Sequence, residues 1–271
     1  MIGLSVWIEK DLNVESENFQ LIRNILDHNA IMFDTYYVVT NKDKDQISKR
    51  GNVEIIPLEQ LKPILKKYLG IEFMPRDHQL SDIGTLLARE IVREVSGKFE
   101  DTVYVDADFL VTNPLILDEL RRKCTHFCLF LDCNYYCTHN TGFSDTYINA
   151  ALSYVPATPD ESDYSKVRMQ LIEEMSRRFK EHEDKEYNSV GPQLLYSAKD
   201  KLYVCQNVKP IDIPYGEFCP TGEGTVETVR IKYDKYALGI HFLLSMSRVN
   251  RIKINPNIHV YPRYLSVKVT C

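Results

Sequence analysis

Over the first half of the chain, apolar residues recur with two different periods, and the periods alternate. Short apolar runs at 2–8 (IGLSVWI), 34–40 (DTYYVVT), 53–58 (VEIIPL), 103–111 (VYVDADFLV) and 125–132 (THFCLFLD) have the β-branched and aromatic content of strands. Between them, 18–29 places Phe19, Ile22 and Leu26 on one helical face, 59–69 reads as a helix, and 81–96 repeats Ile83, Leu87, Ile91 and Val95 every fourth residue. Parallel strands need crossover connections, usually helices, that cover the sheet on both faces. This alternation therefore predicts an α/β fold with a mainly parallel central sheet flanked by helices. Residues 160–187 are more than half charged, with Ile172, Met175 and Phe179 as a narrow apolar stripe. They predict a surface helix packed by one edge, either a solvated face or a lid or acceptor-binding element. No Pro/Gly/Ser-rich linker, low-complexity tract or repeat interrupts the pattern, so one domain over 1–271 is expected.

Composition narrows the choice of function. With 44% hydrophobic residues the 271-residue chain can bury a substantial core. A net charge of −5 argues against a nucleic-acid binder that neutralises phosphates along an extended surface. A small anionic ligand held by a metal ion or a helix N-terminus stays open. Four of the seven cysteines (Cys124, Cys128, Cys133, Cys137) are spaced C-x3-C-x4-C-x3-C, wider than the usual zinc knuckle, and Cys128 falls inside an apolar strand; free thiols in a reducing compartment are expected. The N-terminus shows no basic leader with an apolar run, and no stretch reaches transmembrane length. The expectation is a soluble, cytoplasmic protein.

The chemistry concentrates in VYVDADFLVTNP. An apolar strand leads into Asp106-Ala107-Asp108, and Asn113-Pro114 then stops it, which sets two carboxylates near the C-terminal end of a buried strand. Ligands of open α/β sheets bind there, and a buried acidic pair repels itself unless a cation or protons offset it. Alternate residues of a strand share a face, so both carboxylates can approach one hard cation, Mn²⁺ or Mg²⁺, bridging to a diphosphate. The bare D-x-D also fits a solvated strand end. Asp82, Thr85 and Arg89 share a second helical face, which either looks into a polar pocket or is a helix-start Asp and an exposed Arg. Asn140-Thr141-Gly142-Phe143 and Gly191-Pro192-Gln193 are turn-forming segments. His241, in the apolar ALGIHFLLS, is either a satisfied core residue or a ligand.

Taken in order, SDIGTLLAREIVREVSGKFEDTVYVDADFLV, HNTGF, NSVGPQLL and GIHFLLSMSR resemble the DxD-containing sugar transferases with the GT-A fold. The nearest group is the family sharing a sugar-binding DxD region, which includes fungal mannosyltransferases and clostridial glucosylating toxins. The resemblance implies a single GT-A-like domain that uses Mn²⁺ or Mg²⁺ to transfer a hexose from a UDP- or GDP-sugar to an acceptor hydroxyl, on a glycan or protein that is not identified. It implies that Asp82 contacts the donor sugar, that Asp106 and Asp108 hold metal and diphosphate, that Asn140 lies near the sugar, and that His241 completes the metal shell. The family commonly has Arg three residues after the Asp corresponding to Asp82; this chain has Thr85 there, with Arg89 one turn further on as a substitute. Asp132 and Gln193, near strand ends, are the candidates for a base or nucleophile. Two other readings compete. A haloacid-dehalogenase-like phosphohydrolase also uses D-x-D after an apolar strand, but its motif usually lies near the chain start and needs a downstream acidic pair. A non-catalytic nucleotide-sugar-binding module of the same fold is the third, because fold does not establish turnover.

Overall fold

The computed structural model describes residues 1–8, 16–131, 148–157, 163–181, 190–201, 204–205, 209–212, 226–232, 237–242, 253–261 and 264–270. The elements of the first half are β1 (Ile2–Trp7), α1 (Glu17–Asn29), β2 (Thr35–Thr40), α2 (Lys44–Ile47), β3 (Val53–Pro57), α3 (Leu58–Leu69), α4 (Asp77–Ser96), β4 (Thr102–Val105), β5 (Phe109–Val111), α5 (Pro114–Lys123) and β6 (Cys128–Leu131). They are followed by β7 (Ile148–Val155), α6 (Asp163–Glu181), α7 (Pro192–Ser197), β8 (Val204–Cys205), β9 (Lys209–Asp212), β10 (Val226–Lys232), β11 (Ala237–His241), β12 (Lys253–Ile254), β13 (His259–Tyr261) and β14 (Tyr264–Thr270).

The expected fold class is the one observed. A seven-stranded sheet runs in the order β3-β2-β1-β4-β7-β6-β8. Strands β1 to β4 are mutually parallel, β7 is antiparallel to both of its neighbours, and β8 is parallel to β6. The period of two explains why these strands read as continuous apolar runs. Ile2, Leu4, Val6 and Tyr104 are buried against α3, α4 and α6, while Trp7, Val103 and Val105 are buried on the opposite face with α1 and the smaller sheets. Two smaller sheets, β5-β11-β9 and β10-β14-β12 with β13 on β14, supply that second layer.

Two expectations need correction. The apolar run 103–111 is not one strand. Asp106 N donates to Ala151 O at 2.8 Å, Phe109 N donates to Asp106 O at 2.9 Å, and the chain turns over Asp106–Phe109 before β5 joins β11. The alternation continues through D-A-D-F, but the backbone hydrogen bonds do not, so Asp106 and Asp108 converge through a turn and not as neighbours on one strand face. The helix expected from 81 begins at Asp77, where Gln79 Oε1 accepts from Arg76 N at 3.0 Å. Asp82 therefore sits in the second turn, away from the helix end, and is buried. The charged stretch 160–187 forms α6 over 163–181, packed by one edge as expected: Ile172, Met175 and Phe179 are buried, and Arg168 and Leu171 are buried with them. The flanking positions 160–162 and 182–187 lie outside the described residues.

Strand β5 is held from two sides. Phe109, Leu110 and Val111 pair with β11. On the other edge the side chain of Asn29, the last residue of α1, donates to Phe109 O at 2.7 Å and accepts from Val111 N at 2.9 Å. A buried amide with one donor and one acceptor thus stands in for a neighbouring strand, satisfying backbone groups that burial would otherwise orphan. Cys128 is buried in β6, in line with its apolar setting, Cys124 is half-buried, and Cys133 and Cys137 lie outside the described residues. Among the described residues no helix is long and apolar enough to cross a membrane.

Candidate metal centre

The turn between β4 and β5 presents Asp106 and Asp108, and β11 brings His241 to them. The antiparallel register places His241 opposite Phe109, and Phe242 N donates to Asp108 O at 2.9 Å, which ties the two segments at the turn itself. His241 Nε2 lies 3.3 Å from Asp108 Oδ1 and 3.9 Å from Asp106 Oδ2. One ligand atom from each of the three residues lies within 4.8 Å of the others. Two carboxylate oxygens and an imidazole nitrogen form a donor set suited to a divalent ion of the Mn²⁺ or Mg²⁺ type, with no thiolate to favour a softer metal. The aspartate side chains keep about a fifth of their surface open, 22% and 20%, whereas His241 keeps 11%. The cluster therefore opens towards solvent through its carboxylates.

The electrostatics show what the protein does to hold two acids here. Burial pushes the Asp106 carboxyl up to about 6, and the Asp108 charge adds to the rise. His241 and the hydrogen bond from Tyr104 oppose it. Tyr104 Oη donates to Asp106 Oδ1 at 2.5 Å. Asp82, on α4, is held well above the ordinary carboxylate range by burial and then by the charge of Asp106. Such a set of carboxyls disfavours full ionisation, and a bound divalent cation would relieve it.

Two close approaches bring Asp82 to the cluster. Helix α4 packs on β4 through Gly84, where a Cβ would lie 2.3 Å from the Tyr104 ring. On the other side the backbone at Gly191 meets the Asp82 carboxyl, and a Cβ there would fall 1.9 Å from Oδ1 and 2.0 Å from Cγ. Gly191 is thus the part of the Gly191-Pro192-Gln193 segment that touches the site. Gln193, in the first turn of α7, is exposed.

Arg89 is committed elsewhere. Its Nη1 donates to Pro156 O at 2.9 Å and its Nη2 to Glu90 Oε1 at 2.8 Å. Glu90 in turn pairs with the buried Arg168 of α6. A guanidinium 8% exposed needs such partners, and they commit Arg89 to the Pro156 carbonyl and to Glu90. Thr85 is also turned to the backbone, donating to Ser81 O at 3.1 Å. Asp132 and Asn140 lie outside the described residues.

Tyr104 and Gly191 are site residues that sequence reasoning did not pick out. For Tyr104 the signal was present: two residues before Asp106 on a strand means the same face. A separate cleft of about 440 Å³ lies between α1 and the β12–β13 connection, around His28, Arg50 and His259, and none of the three donors lines it.

Comparison with known proteins finds distant likenesses among solved structures. No protein-family model matches the chain, and no curated protein does. Solved structures similar to it include a glycosyltransferase involved in the glycosylation of the major capsid of PBCV-1, at 12% identity over 92% of this chain and 97% of that one, with a TM-score of 0.44. Mouse xyloside xylosyltransferase 1 is similar at 8% identity over 78% and 86%, with a TM-score of 0.48. A 4-diphosphocytidyl-2C-methyl-D-erythritol synthase from Anaerococcus prevotii matches at 13% identity over 76% and 86%, with a TM-score of 0.38. These TM-scores all lie below 0.5, so what those proteins bind and transfer is a fact about them, and the chemistry of this site rests on its own residues.

Proposed function

We propose that the chain is a divalent-metal-dependent glycosyltransferase, in one GT-A-like domain, that moves a hexose from a UDP- or GDP-sugar to an acceptor hydroxyl. The observation that carries the proposal is the convergence of Asp106, Asp108 and His241, from segments distant in sequence, at the C-terminal end of a parallel strand where open α/β sheets bind ligands. Asp106, Asp108 and His241 would hold Mn²⁺ or Mg²⁺. When bound, the cation supplies positive charge against which a nucleoside diphosphate can leave. Asp82, with its raised pKa, sits beside the cluster as an acid able to donate as well as accept, and it is the residue proposed to grip the donor sugar. Gly191 forms the wall that fixes the Asp82 carboxyl. Asn140 near the sugar remains part of the proposal through the family resemblance, and Asp132 and Gln193 as base or nucleophile through their place in the sequence, although Gln193 falls in the first turn of α7 and not at a strand end.

The phosphohydrolase reading is not favoured. Its metal site needs a second acidic pair, and among the described residues the third donor of the cluster is the imidazole of His241. The test is ligand-induced stabilisation: a ligand that binds the native state raises its unfolding midpoint. A panel of nucleotide-sugars should give a Mn²⁺-dependent rise with one UDP- or GDP-sugar, lost in folded Asp106→Ala and Asp108→Ala proteins. No rise with any donor, together with hydrolysis of simple phosphate esters, would refute the proposal. Binding without turnover under any acceptor would reassign the protein as a nucleotide-sugar-binding module.

A further inference from the structure

The hydroxyl of Tyr104 has a place that a residue serving only the core does not need. Its side chain is fully buried between the central sheet and α4, with the ring pressed against Gly84. A phenol has a single proton, and that proton is committed to Asp106 Oδ1 at 2.5 Å. Ser81 of α4 lies beside the phenolic oxygen. The bond is directional, Tyr104 Oη–H to Asp106 Oδ1. It occupies one oxygen of Asp106 and leaves the other, Oδ2, as the atom nearest His241. Gly84 lies two residues beyond Asp82 on α4, so the helix that carries the proposed donor contact also backs the phenol that holds the proposed metal ligand.

We propose that Tyr104 is the positioning residue of the metal centre, seated against Gly84 of α4, and that it fixes which oxygen of Asp106 is offered to the cation. The proposal rests on Asp106 being a metal ligand. Groups that orient a ligand from behind matter nearly as much as the ligand, because they set its rotamer before the ion arrives and remove the entropy cost of ordering it. The geometry also explains why α4 carries glycine at 84: a methyl group 2.3 Å from the ring would push Tyr104, and with it Asp106, out of place.

The test is Mn²⁺ binding followed by electron paramagnetic resonance, with Mn²⁺ alone and with UDP or GDP, on the wild type, Asp106→Ala, Tyr104→Phe and Ser81→Ala. Tyr104→Phe keeps the ring and removes only the hydroxyl, and it should weaken Mn²⁺ binding by about 10- to 100-fold, the usual effect of losing a ligand's supporting partner. Ser81→Ala should shift affinity in the same direction by a smaller factor, and it keeps the question answerable if Tyr104→Phe fails to fold. The spectrum of the remaining bound Mn²⁺ should broaden in Tyr104→Phe, because line shape reports ligand geometry and is unmoved by global stability. Glu90→Gln, which weakens the fold away from the cluster, serves as the control and should bind Mn²⁺ as the wild type does. Wild-type affinity and line shape in both Tyr104→Phe and Ser81→Ala, with binding abolished in Asp106→Ala, would overturn the positioning role and leave the metal site standing. Absence of Mn²⁺ binding by the wild type would overturn both.

Discussion

Replacing Glu90 by Gln tests whether Arg89 and Arg168 belong to the scaffold and not to the donor site. Glu90 is 7% exposed and receives Arg89 Nη2 at 2.8 Å and the Nη2 of Arg168, which is itself 1% exposed and also donates from Nε to Leu86 O at 2.9 Å. Two buried cations therefore share one buried anion, and the bond from α6 to α4 runs through it. Removing one member of a buried ion pair typically costs about 3–5 kcal/mol, because the remaining charge is left without its counterion. At about 2–4 °C per kcal/mol for a protein of roughly this size, the melting midpoint should fall by about 6–20 °C. Burial alone would raise the Glu90 pKa, but Arg168 and then Arg89 outweigh it and hold it below its ordinary value of 4.5. An acid with a lowered folded pKa stabilises the fold fully above its unfolded value, and that contribution fades as pH falls from 4.5 through the folded value. Urea unfolding followed by circular dichroism, from pH 7 down to pH 3, reads both effects; the gap between wild type and Glu90→Gln should be widest near pH 7 and narrow towards pH 3. A loss below about 1 kcal/mol at pH 7, in the range of exposed ion pairs, would refute the claim that these charges act as a buried network. Donor affinity lost in Arg89→Lys without loss of stability would return Arg89 to the donor site.

Two further predictions concern the cluster. In Gly191→Ala the new methyl would fall about 2 Å from the Asp82 carboxyl, so that carboxyl must move; overpacking of this kind costs about 1–3 kcal/mol, and a displacement near 1 Å at a reacting site costs on the order of 100-fold in rate. Donor turnover should collapse while the fold survives, and unchanged turnover in Gly191→Ala would remove Asp82 from the site. Asp106 gives a pH dependence opposite in sign to that of Glu90. Its folded pKa, pushed up to about 6 from 3.8, means the metal-free fold holds this proton more tightly than the unfolded chain does, so stability falls as pH rises from about 4 through 6. Mn²⁺ should restore stability above pH 6 in the wild type and not in Asp106→Asn, measured as the melting midpoint with and without the ion. A metal-free midpoint that rises from pH 4 to 7 in the wild type relative to Asp106→Asn would contradict the assignment.

The parallel half of the sheet was legible because its strands are buried on both faces. Val38 and Val39, or Val103 and Tyr104, go to opposite layers, which leaves an uninterrupted apolar run for each strand. The Asp106-x-Asp108 motif was legible too, since an acidic pair at the end of such a run is costly without a ligand, whereas the place of Asp82 came from the resemblance to the DxD transferases. What periodicity hides is where hydrogen bonding stops. D-A-D-F continues the alternation of its strand, yet the Asp106–Phe109 turn ends the pairing with β7. Arg89 shows the complementary failure: helical spacing put it on the Asp82 face, but the partners that decide its direction, Pro156 and Arg168 through Glu90, come from segments no local pattern reveals. His241 was ambiguous for the same reason, because only the register of β11 on β5 brings this buried side chain to the aspartates. The alternating VETVRIK and YLSVKVT do carry the signature of half-buried antiparallel strands, and they form β10 and β14.

The central claim is that Asp106, Asp108 and His241 make a metal centre for nucleotide-sugar chemistry, and release of nucleoside diphosphate from UDP- and GDP-hexoses tests it most directly. Incubated with the wild-type protein, one donor should release its diphosphate in the presence of Mn²⁺, release should stop when EDTA removes the ion, and Asp106→Ala, Asp108→Ala and His241→Ala should each lose it while remaining folded. Equal release with and without the ion, or full release by folded Asp106→Ala, would contradict the account.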